Sequence, residues 1–260
     1  MRAAIVSGGD LFAVKGAPQD SAPREMTVRL HEEHASVTPF GAPDQRTDFT
    51  PGRVSIESLD GRVVAQRADP RAPFAGHTLE TPWDPLDRAY FNGYALWSYL
   101  TTPFLLAVPG VTVTETEPWR EGDEVWRGLR AAFPPGIATH CTHQDFYFGP
   151  DHLLRRHDYR VDIACGFAAA QYVHDYVDAD GILLPAKAPS APPRHRRPTR
   201  RGRGHGRDRP QRRPFQLTEV LARTEPRSGR ERPGARTFCA DQRLLTAGRR
   251  LTGPWRSGLP

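Results

Sequence analysis

The sequence predicts an α+β fold that is mainly antiparallel β, a curved sheet wrapped on one buried helix. Three observations predict it. The run Thr81 to Gly110 is the richest continuous apolar and aromatic stretch of the 260 residues. Segments of alternating polarity precede and follow it, as half-buried strands require. Strands, then one long apolar helix, then more strands is the order of a single layered domain and not of a repeating βαβ unit.

The first half reads as strands. Ile5 to Lys15 alternates loosely, with Leu11, Ala13 and Lys15 set against Phe12 and Val14, and predicts a first strand. Met26 to Val37 places Met26, Val28 and Leu30 on one face and Thr27, Arg29 and His31 on the other, which predicts a second. Pro39 to Pro43 is a turn, and Gln45 to Thr50 a further strand. Val54 to Leu59 and Arg62 to Gln66 flank Asp60-Gly61, a hairpin signal because such a turn needs positive φ. Asp69 to Pro82 is a loop.

The helix is expected over residues 85–107. Asp84 suits the N-cap, Pro85 the first turn, and Asp87 the positive helix end. Leu86, Tyr90, Gly93, Trp97 and Leu100 share one face. After the first turn no charge appears before Glu115, so the helix should be covered on more than one side. Pro103 should break it, leaving Phe104 to Val108 as a short second piece.

After the helix, strands are expected at Val111 to Glu117, Val125 to Phe133, Cys141 to Phe148, Leu153 to Ile163, Ala170 to Val177 and Ile182 to Pro185. Turns are expected at Trp119 to Asp123, Pro134 to Gly136, Gly149 to Asp151 and Asp180-Gly181. The composition changes at Ala188. Residues 187–260 hold 20 Lys+Arg against 5 Asp+Glu, and residues 1–186 hold 16 against 25. The pI of 9.6 therefore belongs to the tail, and the first part is mildly acidic. Two domains follow: 1–187 folded, and 188–260 an Arg/Pro/Gly-rich tail too poor in aliphatic residues to order itself. Phe215 to Arg223 could form a short amphipathic helix within it.

The candidate chemistry is sparse. Tyr90, Asn92, Tyr94, Trp97 and Phe104 could line an apolar cavity with a few polar groups, as ligand sites are commonly built. The plainer reading is an aromatic core with hydroxyls reaching its rim. His140, Cys141 and His143, followed by His157-Asp158, have the residue types of a metal site. On a strand, however, residues three apart point to opposite faces. A four-residue connection at Gly149 to His152 would instead put Phe148 opposite Leu153, Asp145 opposite Arg156 and His143 opposite Asp158. One face then carries charge pairs, while Phe146, Phe148, Leu153, Tyr159, Val161 and Ile163 gather on the other. His31-Glu32-Glu33-His34 fails the HExxH spacing, since its histidines are three apart and expected in a strand. No nucleophile elbow, phosphate loop or dinucleotide loop is present, so no catalytic residue, metal or cofactor is assigned. Three cysteines without a CxxC fit a reducing compartment. Without a signal-peptide core or an apolar run long enough to span a membrane, the expectation is a soluble, cytoplasmic protein. Two Lys against 34 Arg points to a GC-rich genome.

The segment Asp175-Tyr176-Val177-Asp178-Ala179-Asp180-Gly181-Ile182-Leu183-Leu184-Pro185, with the order of elements before it, resembles the lipoprotein-carrier-like superfamily of half-barrels. GDLFAVKG, TPFGAPDQRTDFTP, PFAGHTLETPWDPLDRAYFNGYALWSYLTTPFLLA and QDFYFGPDHLLRRHDYRVD are similar to a group of uncharacterised actinobacterial proteins. The similarity spans about residues 8–187. It implies a half-barrel sheet enclosing helices over an apolar cavity, used in the periplasmic members to carry lipids or lipid-modified proteins, and it brings no catalytic residue. The relatives begin with a helix and continue past the Pro185 position as strand. The Arg/Pro/Gly composition here is therefore either a frameshift product of GC-rich DNA or a natural tail.

Three functions follow in order. The first is binding of an apolar small molecule or lipid beside the helix. The second is binding of nucleic acid or an acidic partner through Arg196, Arg197, Arg200, Arg201 and Arg203 of the tail, by phosphate neutralisation. The third is catalysis by His143, Asp145, His157 and Asp158, which requires these groups to converge in a pocket.

Overall fold

The computed structural model describes residues 1–5, 10–17, 20, 23–173, 175–179, 181–187 and 220–221, all within one compact unit, Met1–Thr224. The architecture is two open antiparallel sheets with one principal helix, and neither sheet closes into a barrel. The first part supplies β1 (Arg2–Ile5), the short α1 (Asp10–Val14), β2 (Arg24–Val28), β3 (Ala35–Thr38), β4 (Gln45–Thr50), β5 (Arg53–Ser58) and β6 (Val63–Ala68). The principal helix, α2 (Pro85–Thr101), follows. Then come β7 (Thr112–Glu121), β8 (Glu124–Ala132), β9 (His143–Phe148), β10 (Leu154–Val161), β11 (Phe167–Tyr172), β12 (Asp175–Ala179) and β13 (Ile182–Lys187). A two-residue β14 (Val220–Leu221) pairs with β1. The seven-stranded sheet runs β14-β1-β2-β3-β4-β5-β6 and the five-stranded sheet β11-β10-β9-β8-β7, with β12-β13 as a separate hairpin.

Several expectations are corrected. The single sheet is two sheets and a separate hairpin, and the described residues hold fourteen strands. The strand expected over residues 5–15 is β1 followed by α1, because Leu11 and Lys15, both at 0% exposure, are buried at helical spacing. The strand expected over residues 26–37 is the hairpin β2–β3, with His31 to His34 in its connection and Leu30 exposed. The turn expected at Trp119 to Asp123 is confined to Gly122-Asp123, with β7 running on through Pro118 to Glu121. The Asp60-Gly61 hairpin forms, but over a four-residue connection in which Gly61 alone of the pair takes positive φ. Val220–Leu221 is strand where a helix was expected.

The helix forms as its sequence requires. The Asp84 carboxylate accepts the Asp87 N–H at 2.8 Å and the Asp87 carboxylate accepts the Asp84 N–H at 3.1 Å, a reciprocal cap that satisfies two otherwise unpaired donors. Arg67 of β6 donates to both carboxylates, fastening the helix start to the sheet edge. Residues 87–101 are buried without exception, so α2 is enclosed on all sides. It ends before Pro103, and Phe104–Ala107 makes a separate 3-10 turn. On one side α2 crosses β3, β4 and β5 so closely that a Cβ on Gly93 would lie 2.2 Å from Cγ of Phe49. On the other side it meets the five-stranded sheet through Tyr99, which contacts the His157 and Tyr159 rings of β10.

Candidate functional site

The side of α2 that faces the five-stranded sheet is where buried polar chemistry collects. Strand alternation places Gln144, Phe146 and Phe148 of β9 and His157, Tyr159 and Val161 of β10 on the inner face. The pairing differs from the expected register. Gly149 N–H closes onto the Leu153 carbonyl at 2.9 Å, and a bulge between Leu154 and Arg156 sets Arg156 opposite Tyr147, His157 opposite Phe146 and Asp158 opposite Asp145. Leu154 thereby takes the buried position expected of Leu153, while His157 keeps the inner face it shares by alternation with Tyr159 and Val161.

His157 stacks on Phe146 with ring centroids 4.2 Å apart. Its Nε2 lies 2.7 Å from Gln144 Oε1, while Gln144 Nε2 donates to the Cys141 carbonyl. That orientation of the amide leaves Oε1 as acceptor, so His157 Nε2 carries the proton. Burial drives the His157 pKa down to about 3, and the imidazole is neutral.

His140 sits in the loop before β9 at 0% exposure, stacked on Tyr159 at 3.9 Å. Its Nε2 is 2.8 Å from the Tyr99 hydroxyl, which is 2.7 Å from the Tyr159 hydroxyl. Burial again holds the ring neutral, with the Arg71 charge acting in the same direction. The other ring nitrogen, Nδ1, is buried without a hydrogen-bond partner. Tyr94 of α2 packs edge-on against this ring at 5.1 Å, and its hydroxyl is likewise buried and unpartnered.

Arg71 clamps the loop. It donates to the Thr139 carbonyl at 3.0 Å and to Asp162 at 3.4 Å, while the Asp162 N–H closes onto the His140 carbonyl. Burial alone would lower the Arg71 pKa, but a hydrogen bond with Tyr90 and the neighbouring acids hold it above its usual range. Glu33 completes the group from the β2–β3 connection. Its Oε2 accepts the Ala138 N–H at 3.0 Å, and its Oε1 is buried without a partner. Burial pushes its pKa up to about 8, against the opposing backbone hydrogen bond, so the carboxyl is mostly protonated at neutral pH and can donate.

Of the residues expected to line a cavity, Tyr90 and Tyr94 meet, with ring centroids 5.3 Å apart. Asn92 is buried on α2; Trp97 is buried and donates to the Arg29 carbonyl at 2.9 Å, toward the β2–β3 connection. Phe104 is 46% exposed and lines no interior. The four groups of the catalytic alternative separate. His157 is inside. His143 is exposed, Asp145 is held by Arg130 at 2.7 and 2.8 Å, and Asp158 by Arg156 at 2.6 and 2.8 Å, all on the outer side. The expected pairs Asp145–Arg156 and His143–Asp158 do not form, because β10 lies two positions from the expected register, one arising at the connection, where Leu154 faces Phe148, and one at the bulge. Cys141 bonds the backbone of His143 and Arg160. Of the HEEH cluster, Glu32 pairs with Arg29, His34 with Asp48, and Glu33 turns inward. Arg196, Arg197, Arg200, Arg201 and Arg203 lie outside the described residues. Arg71 and Glu33 were not singled out as site residues in the sequence: Arg71 lies in a proline-flanked loop, and the inward turn of Glu33 depends on the hairpin that splits residues 26–37.

No family model matches the sequence, and no curated protein matches it. Among solved structures, a DUF1329 family protein from Desulfovibrio piger superposes with a TM-score of 0.44 at 11% sequence identity, over 72% of this chain and 76% of that one. Among the described residues no helix is long and apolar enough to cross a membrane.

Proposed function

We propose that the protein binds a small molecule or lipid with an apolar body and a hydrogen-bonding head, on the side of α2 that faces the five-stranded sheet. The observation that carries this reading is the group of unpartnered buried atoms Tyr94 Oη and His140 Nδ1, both within electrostatic reach of Arg71, and Glu33 Oε1, whose carboxyl holds Ala138 next to the Thr139 that Arg71 holds. Buried polar atoms are normally hydrogen-bonded, and each one left unpaired costs about 1–3 kcal/mol. A ligand head supplies what they lack. His140 offers a donor in one tautomer and an acceptor in the other, the protonated Glu33 offers a donor, and Tyr94 offers either. The rings of Tyr90, Phe91 and Tyr94 would take the apolar body.

The resemblance of residues 175–185 to lipoprotein-carrier-like half-barrels suggests the class of ligand, an amphiphile. Cys141 and Cys165 are free thiols, which suits action in a reducing compartment and supports placing the protein in the cytoplasm. The test is mass analysis of a solvent extract of the gently purified full chain. One class of amphiphile at close to one molecule per chain is expected. An extract no different from that of an unrelated protein prepared alongside would sink the proposal.

A further inference from the structure

A second group of buried charge lies apart from that site. Arg24 opens β2 at 2% exposure, on the same face as Met26 and Val28, so its side chain enters the interior of the seven-stranded sheet. Its Nε and Nη1 are buried and have no hydrogen-bond partner. Arg88, from the first turns of α2, is 6% exposed; its guanidinium lies over the Phe40 ring at 4.0 Å and donates to Asp20 at 3.1 Å. Asp20 also accepts the Gly41 N–H at 3.0 Å, so its carboxylate is fixed in place. Burial lowers the pKa of Arg24; Asp20 opposes that shift and Arg88 adds to it, so the three charges act on one another.

Among the described residues the balance is two cations against one carboxylate, and the positive charge left over sits on a guanidinium with two buried nitrogens unused. Arginine does not shed its proton in the neutral range, so the route by which buried acids and lysines escape this cost is closed. Glu25, the next residue, points to the exposed face and does not compensate it. We propose that Arg24, with Arg88 and Asp20 holding it in position, binds one oxyanion group, a phosphate or a carboxylate, whose negative charge closes the balance. A guanidinium recognises such groups through charge-assisted hydrogen bonds.

The experiment uses the full chain at fixed ionic strength, exchanging sodium chloride for sodium phosphate or sodium acetate. Phosphate also stabilises proteins by exclusion from their surfaces, so Arg24→Met serves as the reference. The wild type is expected to gain about 2–4 °C in Tm over the variant's own gain once the anion exceeds its Kd about tenfold. Equal gains in the two proteins would overturn the proposal. Isothermal titration of the wild type needs no variant to fold. Saturable one-to-one binding is expected, weakened about tenfold in Arg24→Lys, which keeps the charge and loses the fork. No saturable heat from either anion would also overturn it. Heat from phosphate alone would assign a phosphate-bearing ligand, and heat from acetate as well would admit a carboxylate.

Discussion

The two sides of α2 both bury aromatic rings and use them differently. Toward β4 the contact is apolar and tight, with Phe49 pressed into the space that Gly93 leaves open. Toward the five-stranded sheet the same helix presents Tyr94 and Tyr99 to two buried histidines and a third tyrosine, and there some polar atoms are paired while others are not. Close packing at one side fixes where the helix lies, and the other side can then hold polar groups in defined positions without partners of their own. A contact as close as that of Gly93 with Phe49 has a structural task. A side that keeps unpaired polar atoms in its interior carries a cost that folding alone does not explain.

Substitutions should separate the two sides. Gly93→Ala is expected to have the largest effect, because the new methyl must displace a fully buried Phe49. A loss of about 3 kcal/mol in denaturant unfolding is expected, and a loss below about 0.5 kcal/mol would show that the crossing is looser than described. Tyr99→Phe follows, at about 2 kcal/mol, since it strips partners from both His140 Nε2 and the Tyr159 hydroxyl. Unchanged unfolding would mean that this network contributes nothing to stability.

Glu33→Gln sharpens the comparison through pH. The folded-state pKa of about 8 lies above the ordinary 4.5, so between these values the folded protein holds a proton that the unfolded chain has released. Its contribution is present below about pH 4.5 and is lost as pH rises toward 8. His140 and His157, with pKa values pressed down, act in the opposite sense: the unfolded chain takes up protons first, and stability falls as pH drops below about 6.5. Both histidines remain in the variant, so the difference between wild type and Glu33→Gln isolates the carboxyl. That difference should move against the wild type from pH 5 to 8 and then level off, as followed by urea midpoints. A difference flat with pH would place Glu33 in water.

Much of this was legible in the sequence, for identifiable reasons. The cap of α2, its burial on all sides and its break before Pro103 follow from local rules that act within a few residues of Asp84 and Pro103. The inner face of β9 and β10 was also readable, since Phe146, Phe148, Tyr159, Val161 and Ile163 alternate. What could not be read depends on distant partners. The connection and the bulge beside Arg155 together shift the pairing by two residues and set Asp158 instead of Arg156 opposite Asp145. Splitting residues 26–37 into a hairpin decides that Glu33 turns inward, and Arg71 gains its role only because its loop runs past Thr139 and Asp162. Asp145 pairs with Arg130 of the preceding strand instead of Arg156. Charge pairing across a sheet follows register, which alternation does not specify when a bulge intervenes.

The smallest expected change in stability belongs to Tyr94→Phe, and it bears most directly on the central claim. Its hydroxyl has no partner among the described residues, so removing it should leave unfolding within about 0.5 kcal/mol of the wild type or slightly improve it. The decisive measurement is the native mass spectrum of the full-length wild type and of Tyr94→Phe, purified identically from a lipid-rich lysate. The wild type is expected to carry a discrete added mass that is released on denaturation. The equally stable variant should carry it at roughly tenfold lower occupancy, as the loss of one buried hydrogen bond implies. Bare masses for both folded proteins, or equal loading of both, would contradict the assignment of this side of α2 as the binding site.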